Sequence, residues 1–171
     1  MPTHVFVDEN KSKGLLMAAA YCRAGDVAVH RKALRQLLLP GQERLHFSHE
    51  RPARRRQILG LITSFGVVVD IYITDRSTLA DRRRCLEAIV RDCAGSAERL
   101  IAEMDESLYE SDLRTIREAA HRFGCHETLR WSILVAKADP LLWVPDAVAW
   151  CWARGGDWKQ AVAPFCQLRE L

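Results

Sequence analysis

This chain of 171 residues predicts an α/β fold, with one mixed sheet flanked by helices. Three observations carry that expectation. Two apolar, β-branched runs, HVFVD (4–8) and GLLMAAAYC (14–22), stand at the front, and the short polar link ENKSKG between them suits a hairpin. Further on, strand-like runs alternate with helical patterns, which implies parallel strands joined by helical crossovers. No repeat, linker or low-complexity stretch interrupts the series, so residues 1–171 read as a single domain, long enough to bury a full core.

The elements follow in order. DVAVHRKALRQLLL (26–39) has Val27, Leu34, Leu37 and Leu38 on one side of a helix, with Asp26 placed to cap it and Pro40-Gly41 to stop it. ERLHFS (43–48) reads as a brief extended piece. Pro52 suits the first turn of a helix that runs to about Phe65. GVVVDIYIT (66–74) is a strong strand. Thr78 precedes a helix with Leu86, Ile89, Val90 and Cys93 at i, i+3, i+4, i+7. RLIAEMD (99–105) is the next strand. YESDLRTIREAAHRFG (109–124) places Tyr109, Leu113, Ile116, Ala120 and Phe123 on one face and ends at a glycine. LRWSILVAK (129–137) is the last predicted strand. A helix from Pro145 to about Arg154 and a shorter helical tail close the chain.

Composition narrows the class. Apolar residues make up 49% and charged residues 27%, as in an ordinary soluble domain. No apolar run approaches the roughly 18–20 residues that span a bilayer, so no membrane role is expected. Asp8 and Glu9 stand where a signal peptide carries bare positive charge, which argues against secretion. Six cysteines form no CxxC pair and sit mostly among apolar neighbours. They indicate a reducing cytoplasm without disulfides. The net charge of +3 permits a nucleic-acid partner without demanding one.

Three acids occupy positions that flanking apolar residues should hold in place: Asp8 and Asp105 at strand ends, and Asp146 in the first turn of the last helix. In open α/β sheets, reactive groups gather beyond the carboxyl ends of parallel strands. Clustered carboxylates without basic partners repel one another, and a hard divalent cation, Mg²⁺ or Mn²⁺, relieves that repulsion. Position alone does not separate such a site from solvated or capping acids, because a chain with 22 acids places several near strand ends.

Motif order adds to this reading. Asp8-Glu9-Asn10 ends the first strand, Leu45-His46-Phe47 lies in mid-chain, Asp105-Glu106-Ser107 follows the central strand, and Leu142-Trp143-Val144-Pro145-Asp146-Ala147-Val148-Ala149 opens the last helix. In these motifs the chain resembles a large family of uncharacterised bacterial proteins of the ribonuclease H-like superfamily. That family has an N-terminal Asp-Glu-Ser-Gly motif and a C-terminal helix carrying Ala-Asp. The likeness spans nearly the whole chain. It departs at Asn10 for Ser, Lys11 for Gly, Trp143 for Gln and Pro145 for Ala. The resemblance implies a ribonuclease H-like sheet and a metal-dependent acidic site. Asp8, Asp105 and Asp146 would hold Mg²⁺ or Mn²⁺, Glu9 would assist or orient, and a fourth acid would come from Glu43, Glu50 or Glu106.

The function expected from this is a divalent-metal-dependent nuclease acting on DNA or RNA. His46 is the candidate acid–base or phosphate-binding group, and Arg51, Arg54, Arg55 and Arg56 are candidate backbone contacts. Two alternatives stand beside it: a ribonuclease of the PIN type, which gathers acids across a parallel sheet, and a catalytically silent domain acting by binding protein or nucleic acid. Arg82-Arg83-Arg84 reads as a surface helix with i, i+4 pairs. His121, Cys125 and His126 lack a fourth zinc ligand at suitable spacing. Trp143, Ala147 and Trp150, with Val148, Cys151 and Trp152, make both faces of the last helix apolar. One should pack on the sheet, and the other is left for a second copy in a homodimer.

Overall fold

The computed structural model describes residues 2–171. Its strands are β1 (Thr3–Asn10), β2 (Leu15–Arg23), β3 (Val68–Thr74), β4 (Ala97–Glu103), β5 (Arg130–Leu134) and β6 (Cys166–Arg169). Its helices are α1 (Val27–Gln36), α2 (Pro52–Ser64), α3 (Leu79–Cys93), α4 (Tyr109–Arg122), α5 (Trp143–Arg154) and α6 (Gly156–Val162). The strands form one sheet in the order β5-β4-β1-β2-β3-β6. β1, β2 and β3 are antiparallel neighbours, β4 and β5 run parallel to β1, and β6 runs parallel to β3. The mixed sheet flanked by helices is the architecture expected from the alternation of elements.

Side chains alternate across a strand, and the sheet therefore carries two cores. Phe6, Ala18, Ala20, Val69, Ile71 and Ile101 face one side, where α1, α2, α5 and α6 cover them. Val5, Val7, Met17, Tyr72, Leu100 and Ala102 face the other, under α3 and α4. Thr78 caps α3 by the reciprocal pattern: its hydroxyl accepts from the Asp81 amide while the Asp81 carboxylate accepts from the Thr78 amide. Gly14 closes the β1–β2 hairpin at φ +76°, with backbone so near that a Cβ would sit 2.5 Å from the Thr74 carbonyl oxygen.

Several boundaries differ from expectation. Asp26 precedes α1, but its side chain makes no capping bond. Residues 43–48 do not pair with the sheet; they lead into a 3₁₀ turn at Phe47–His49. β4 ends at Glu103, two residues early: Met104 makes a last backbone bond to the Leu134 carbonyl, and the chain then turns at Asp105, which caps the 3₁₀ turn Glu106–Leu108. α5 begins at Trp143, two residues before Pro145, whose missing N–H is no loss within the first turn. The strand β6 was not anticipated, since CQLR is too short to show a period.

The second apolar face of α5 is covered within the chain itself. Trp158 of α6 stacks edge-on against Trp150 at 5.5 Å between centroids, and Phe47 packs on Trp150 at 5.3 Å. Much of the face expected to meet a second copy is thus packed within the chain, with Trp150 and Trp152 half-buried. Cys22, Cys85, Cys93, Cys125 and Cys151 are buried, Cys166 is half-buried, and all six are unpaired. Burial pushes Cys85 up to about 11 and Cys93, Cys151 and Cys166 up to about 12. Among the described residues, no helix is long and apolar enough to cross a membrane.

Candidate active site

β1 and β4 are parallel neighbours in the middle of the sheet, with Phe6 beside Ile101 and Val7 beside Ala102. One step further along, on the α5 side, the register places Asp8 next to Glu103. The two carboxyls lie within reach of each other. α5 packs across β1 and β2, and its first turn brings Asp146 into the same neighbourhood. Asp8 and Asp146, predicted from the sequence, are therefore brought near each other with Glu103 beside them, while Asp105 lies apart.

The electrostatics of this group follow from its burial. Asp8 is only 7% exposed. Burial, then the hydrogen bond and charge of Glu103, then the charge of Asp146, hold its carboxyl well above the usual carboxylate range, with Arg44 opposing. Asp146 is pushed up to about 6 by burial. The Phe47 amide, which donates to its Oδ2 at 3.2 Å, pulls the other way, Glu103 adds to the rise, and Arg44 and His49 reduce it. The Arg44 guanidinium bridges two of the three acids, with Nη1 3.4 Å from Glu103 Oε1 and Nη2 4.0 Å from Asp146 Oδ2.

The remaining predicted residues lie elsewhere. Glu9 follows Asp8 and so points to the opposite face. There it pairs with Arg82 of α3, which also grips Asp112 of α4 through two bonds of 2.7 Å. Lys11 reaches both Glu9 Oε1 and Asp105 Oδ2 at 3.2 Å. Asp105, past the strand end, caps the next turn by accepting from the Ser107 hydroxyl (2.6 Å) and amide (3.1 Å). Those bonds, the hydroxyl's first and then the charge of Lys11, hold its carboxyl low. Of the candidates for a fourth acid, Glu43 pairs with Lys137 at 3.6 Å, Glu50 accepts from Gln42 at 3.0 Å and sits 3.6 Å from Arg54, and Glu106 is exposed.

His46 is half-buried beside the acids. Burial, then Arg44 and His49, lower its pKa, so its imidazole is neutral near pH 7. Its ring stands edge-on to His49 at 3.9 Å. Two of the four arginines predicted to meet a phosphate backbone are already engaged. Arg54 donates to the Leu37 carbonyl at 2.5 Å. Arg55 donates to the Phe47 and Ser48 carbonyls at 3.0 and 2.8 Å, with its guanidinium 4.1 Å over Trp150. Arg51 and Arg56 remain exposed.

Hard oxygen donors and surplus negative charge fit a Mg²⁺ or Mn²⁺ ion in kind. As the side chains stand, Arg44 holds two of the donors. Among the described residues no three Asp, Glu, His or Cys side chains converge to hold one ion between them, His121, Cys125 and His126 included. The strand run RLIAEMD directs attention to its terminal Asp105 and away from Glu103. Counting by twos from Ile101 gives Glu103 the facing of Phe6 and Asp8.

No protein-family model and no curated protein matches the chain. Solved structures do. The chain is similar to ribonuclease HII of Archaeoglobus fulgidus, determined in complex with PCNA, with a TM-score of 0.56 and 15% identity over 85% of this chain and 69% of that one. It is similar to ribonuclease H2 of Pyrococcus horikoshii, with a TM-score of 0.54 and 10% identity over 86% and 70%. The fold is ribonuclease H-like. Its antiparallel front of β1, β2 and β3 departs from the parallel sheet of the PIN-type alternative.

Proposed function

We propose that the chain is a divalent-metal-dependent nuclease. The observation that carries this reading is the meeting of Asp8, Glu103 and Asp146 on one face of a ribonuclease H-like sheet, at the carboxyl ends of β1 and β4. Those three residues would hold Mg²⁺ or Mn²⁺. The ion, when bound, would supply an acidified water and counter-charge for the leaving oxygen.

The chain's own groups have separate tasks in this reading. The Phe47 amide fixes the Asp146 carboxylate. Neutral His46, beside the acids, is the group that can accept a proton near pH 7. Nucleic acid would approach along a cavity of about 450 Å³ lined by Asn10, Ser12, Lys13, Ser48, Trp150 and Arg154. Asn10 lies two residues past Asp8 on its strand, about 7 Å. Trp150 lies four past Asp146 on its helix, about 6 Å. Lys13 and Arg154 are exposed cations in no described ion pair, suited to phosphate oxygens. They take the place expected for Arg54 and Arg55.

The test is cleavage of labelled single- and double-stranded DNA and RNA in Mn²⁺, beside Asp8→Asn and Glu103→Gln purified identically. Cleavage by the wild type that both substitutions remove supports the reading and names the substrate. Equal cleavage by all three sinks it. One observation favours a second reading, a domain that binds without hydrolysis: Arg44 already neutralises part of the acid cluster. That reading is selected by nucleic-acid binding that responds to Lys13→Glu and Arg154→Glu in the absence of any metal-dependent cleavage.

A further inference from the structure

The carboxylates of Asp8, Glu103 and Asp146 are neighbours without converging on one point, and one guanidinium stands among them. It is Arg44, which reaches Glu103 at 3.4 Å and Asp146 at 4.0 Å. Each of those acids would have to turn an oxygen toward a metal ion. A guanidinium bridging both blocks that convergence in space, and it repels a dication by charge.

The pose is only partly satisfied. Arg44 Nε is buried and has no hydrogen-bond partner, and an orphaned buried donor is a destabilising element. The route out is short, since 30% of the Arg44 side chain is already exposed. Arg44 also sits on the irregular segment between α1 and the turn at Phe47–His49. From Phe47 onward the backbone is fixed, by Arg55 on two carbonyls and by Asp146 on the Phe47 amide. Immediately before it the chain is irregular, with Leu45 buried in the core and the Arg44 side chain directed at the acids. Arg44 thus presents a partly exposed, incompletely satisfied guanidinium beside the acids, on a backbone anchored next to it by buried Leu45.

We propose that Arg44 is a built-in counter-ion that competes with the metal. It neutralises the acid cluster while the ion is absent and must withdraw for the ion to enter. The inference rests on the metal-dependent reading above and adds to it a residue that sets metal affinity. By linkage, a group that stabilises the metal-free state lowers the apparent affinity of the ion by the same factor.

The experiment measures Mn²⁺ and Mg²⁺ binding to the full chain by titration calorimetry, together with the thermal midpoint in chelator and in metal. It compares wild type, Arg44→Gln and Arg44→Lys. Arg44→Gln is expected to bind Mn²⁺ roughly fivefold or more tightly than wild type, with a lower midpoint in chelator and a larger rise on adding metal. Arg44→Lys keeps the charge but cannot bridge two acids with one planar group, so its affinity should fall between the two. It also serves if Arg44→Gln does not fold. Equal or weaker Mn²⁺ binding in both variants overturns the inference and leaves the metal reading standing. No metal binding by any folded form, wild type included, overturns both.

Discussion

Asp8 and Glu9 are joined by one peptide bond and serve opposite faces of the sheet. Asp8 joins Glu103 and Asp146 under α5, while Glu9 joins Arg82 and Asp112 under α3 and α4. The two-residue period of β1 sorts them. One ends in a surplus of negative charge. The other ends in a network with two cations, Lys11 and Arg82.

That division predicts which acids respond to metal. Asp8→Asn, Glu103→Gln and Asp146→Asn should each abolish the rise in thermal midpoint on adding Mn²⁺. Glu9→Gln and Asp105→Asn should keep most of it. Differential scanning fluorimetry in chelator and in Mn²⁺ decides this. A response lost with Asp105→Asn but kept with Glu103→Gln would return the site to the strand-end aspartate.

Arg82 is 5% exposed and tied to two carboxylates from β1 and α4. Replacing it by Met leaves buried Asp112 without a counter-charge, and breaking a buried pair from one side costs about 3–5 kcal/mol. Urea unfolding of Arg82→Met should show that loss. The double variant Arg82→Met/Asp112→Leu should recover much of it, because the stranded charge is gone.

Arg55 holds the segment that orients Asp146. It donates to the carbonyls of Phe47 and Ser48 and stacks on Trp150. Arg55→Ala should lower stability by about 1–3 kcal/mol, through lost hydrogen bonds to a charged donor and lost packing. Lysine at this position should not restore it, since one ammonium cannot donate in a plane to two carbonyls while covering an indole.

Burial of acids sets a pH dependence. Asp146 is raised to about 6 from 3.8, and Asp8 is raised as well. A carboxyl raised on folding contributes stability that is full below its unfolded value and is lost as pH rises through its folded value. His30 and His46, lowered by burial, work in the opposite sense: each contributes above about 6.5 and loses that contribution on acidification. The difference between wild type and Asp146→Asn removes the histidine part. Relative to that variant, metal-free wild type should lose stability between about pH 4 and pH 6 and stay level above. A flat difference across that window would mean that Asp146 is not desolvated.

Most of the scaffold was legible because its signals are local. The hairpin, α2 with Pro52 at its start, α3 with its Thr78 cap and α4 with Gly124 at its end all follow from residues within a few positions of one another. The places of Asp8 on β1 and Asp146 in the first turn of α5 were legible for the same reason. Glu103 shares the facing of Ile101 by the strand period, but its place beside Asp8 depends on the parallel pairing of β4 with β1, which no local signal gives. Arg44 was not legible at all, since its segment has no period, and only the approach of β4 and α5 gives it partners. The arginines at 54 and 55 looked free because their acceptors are backbone carbonyls, which composition does not reveal.

The six unpaired cysteines have a practical consequence. A thiol reacts as its anion, and burial keeps these thiols protonated far above neutral pH. In the native protein an alkylating dye should label the half-buried Cys166 slowly and the other five hardly at all, because each must wait for the chain to open around it. Cys93 and Cys125 sit beneath α3 and α4, while Cys22 and Cys151 sit under the layer that holds the acids. Labelling resolved by mass spectrometry would therefore clock the breathing of the two halves of the molecule separately, with no engineered probe.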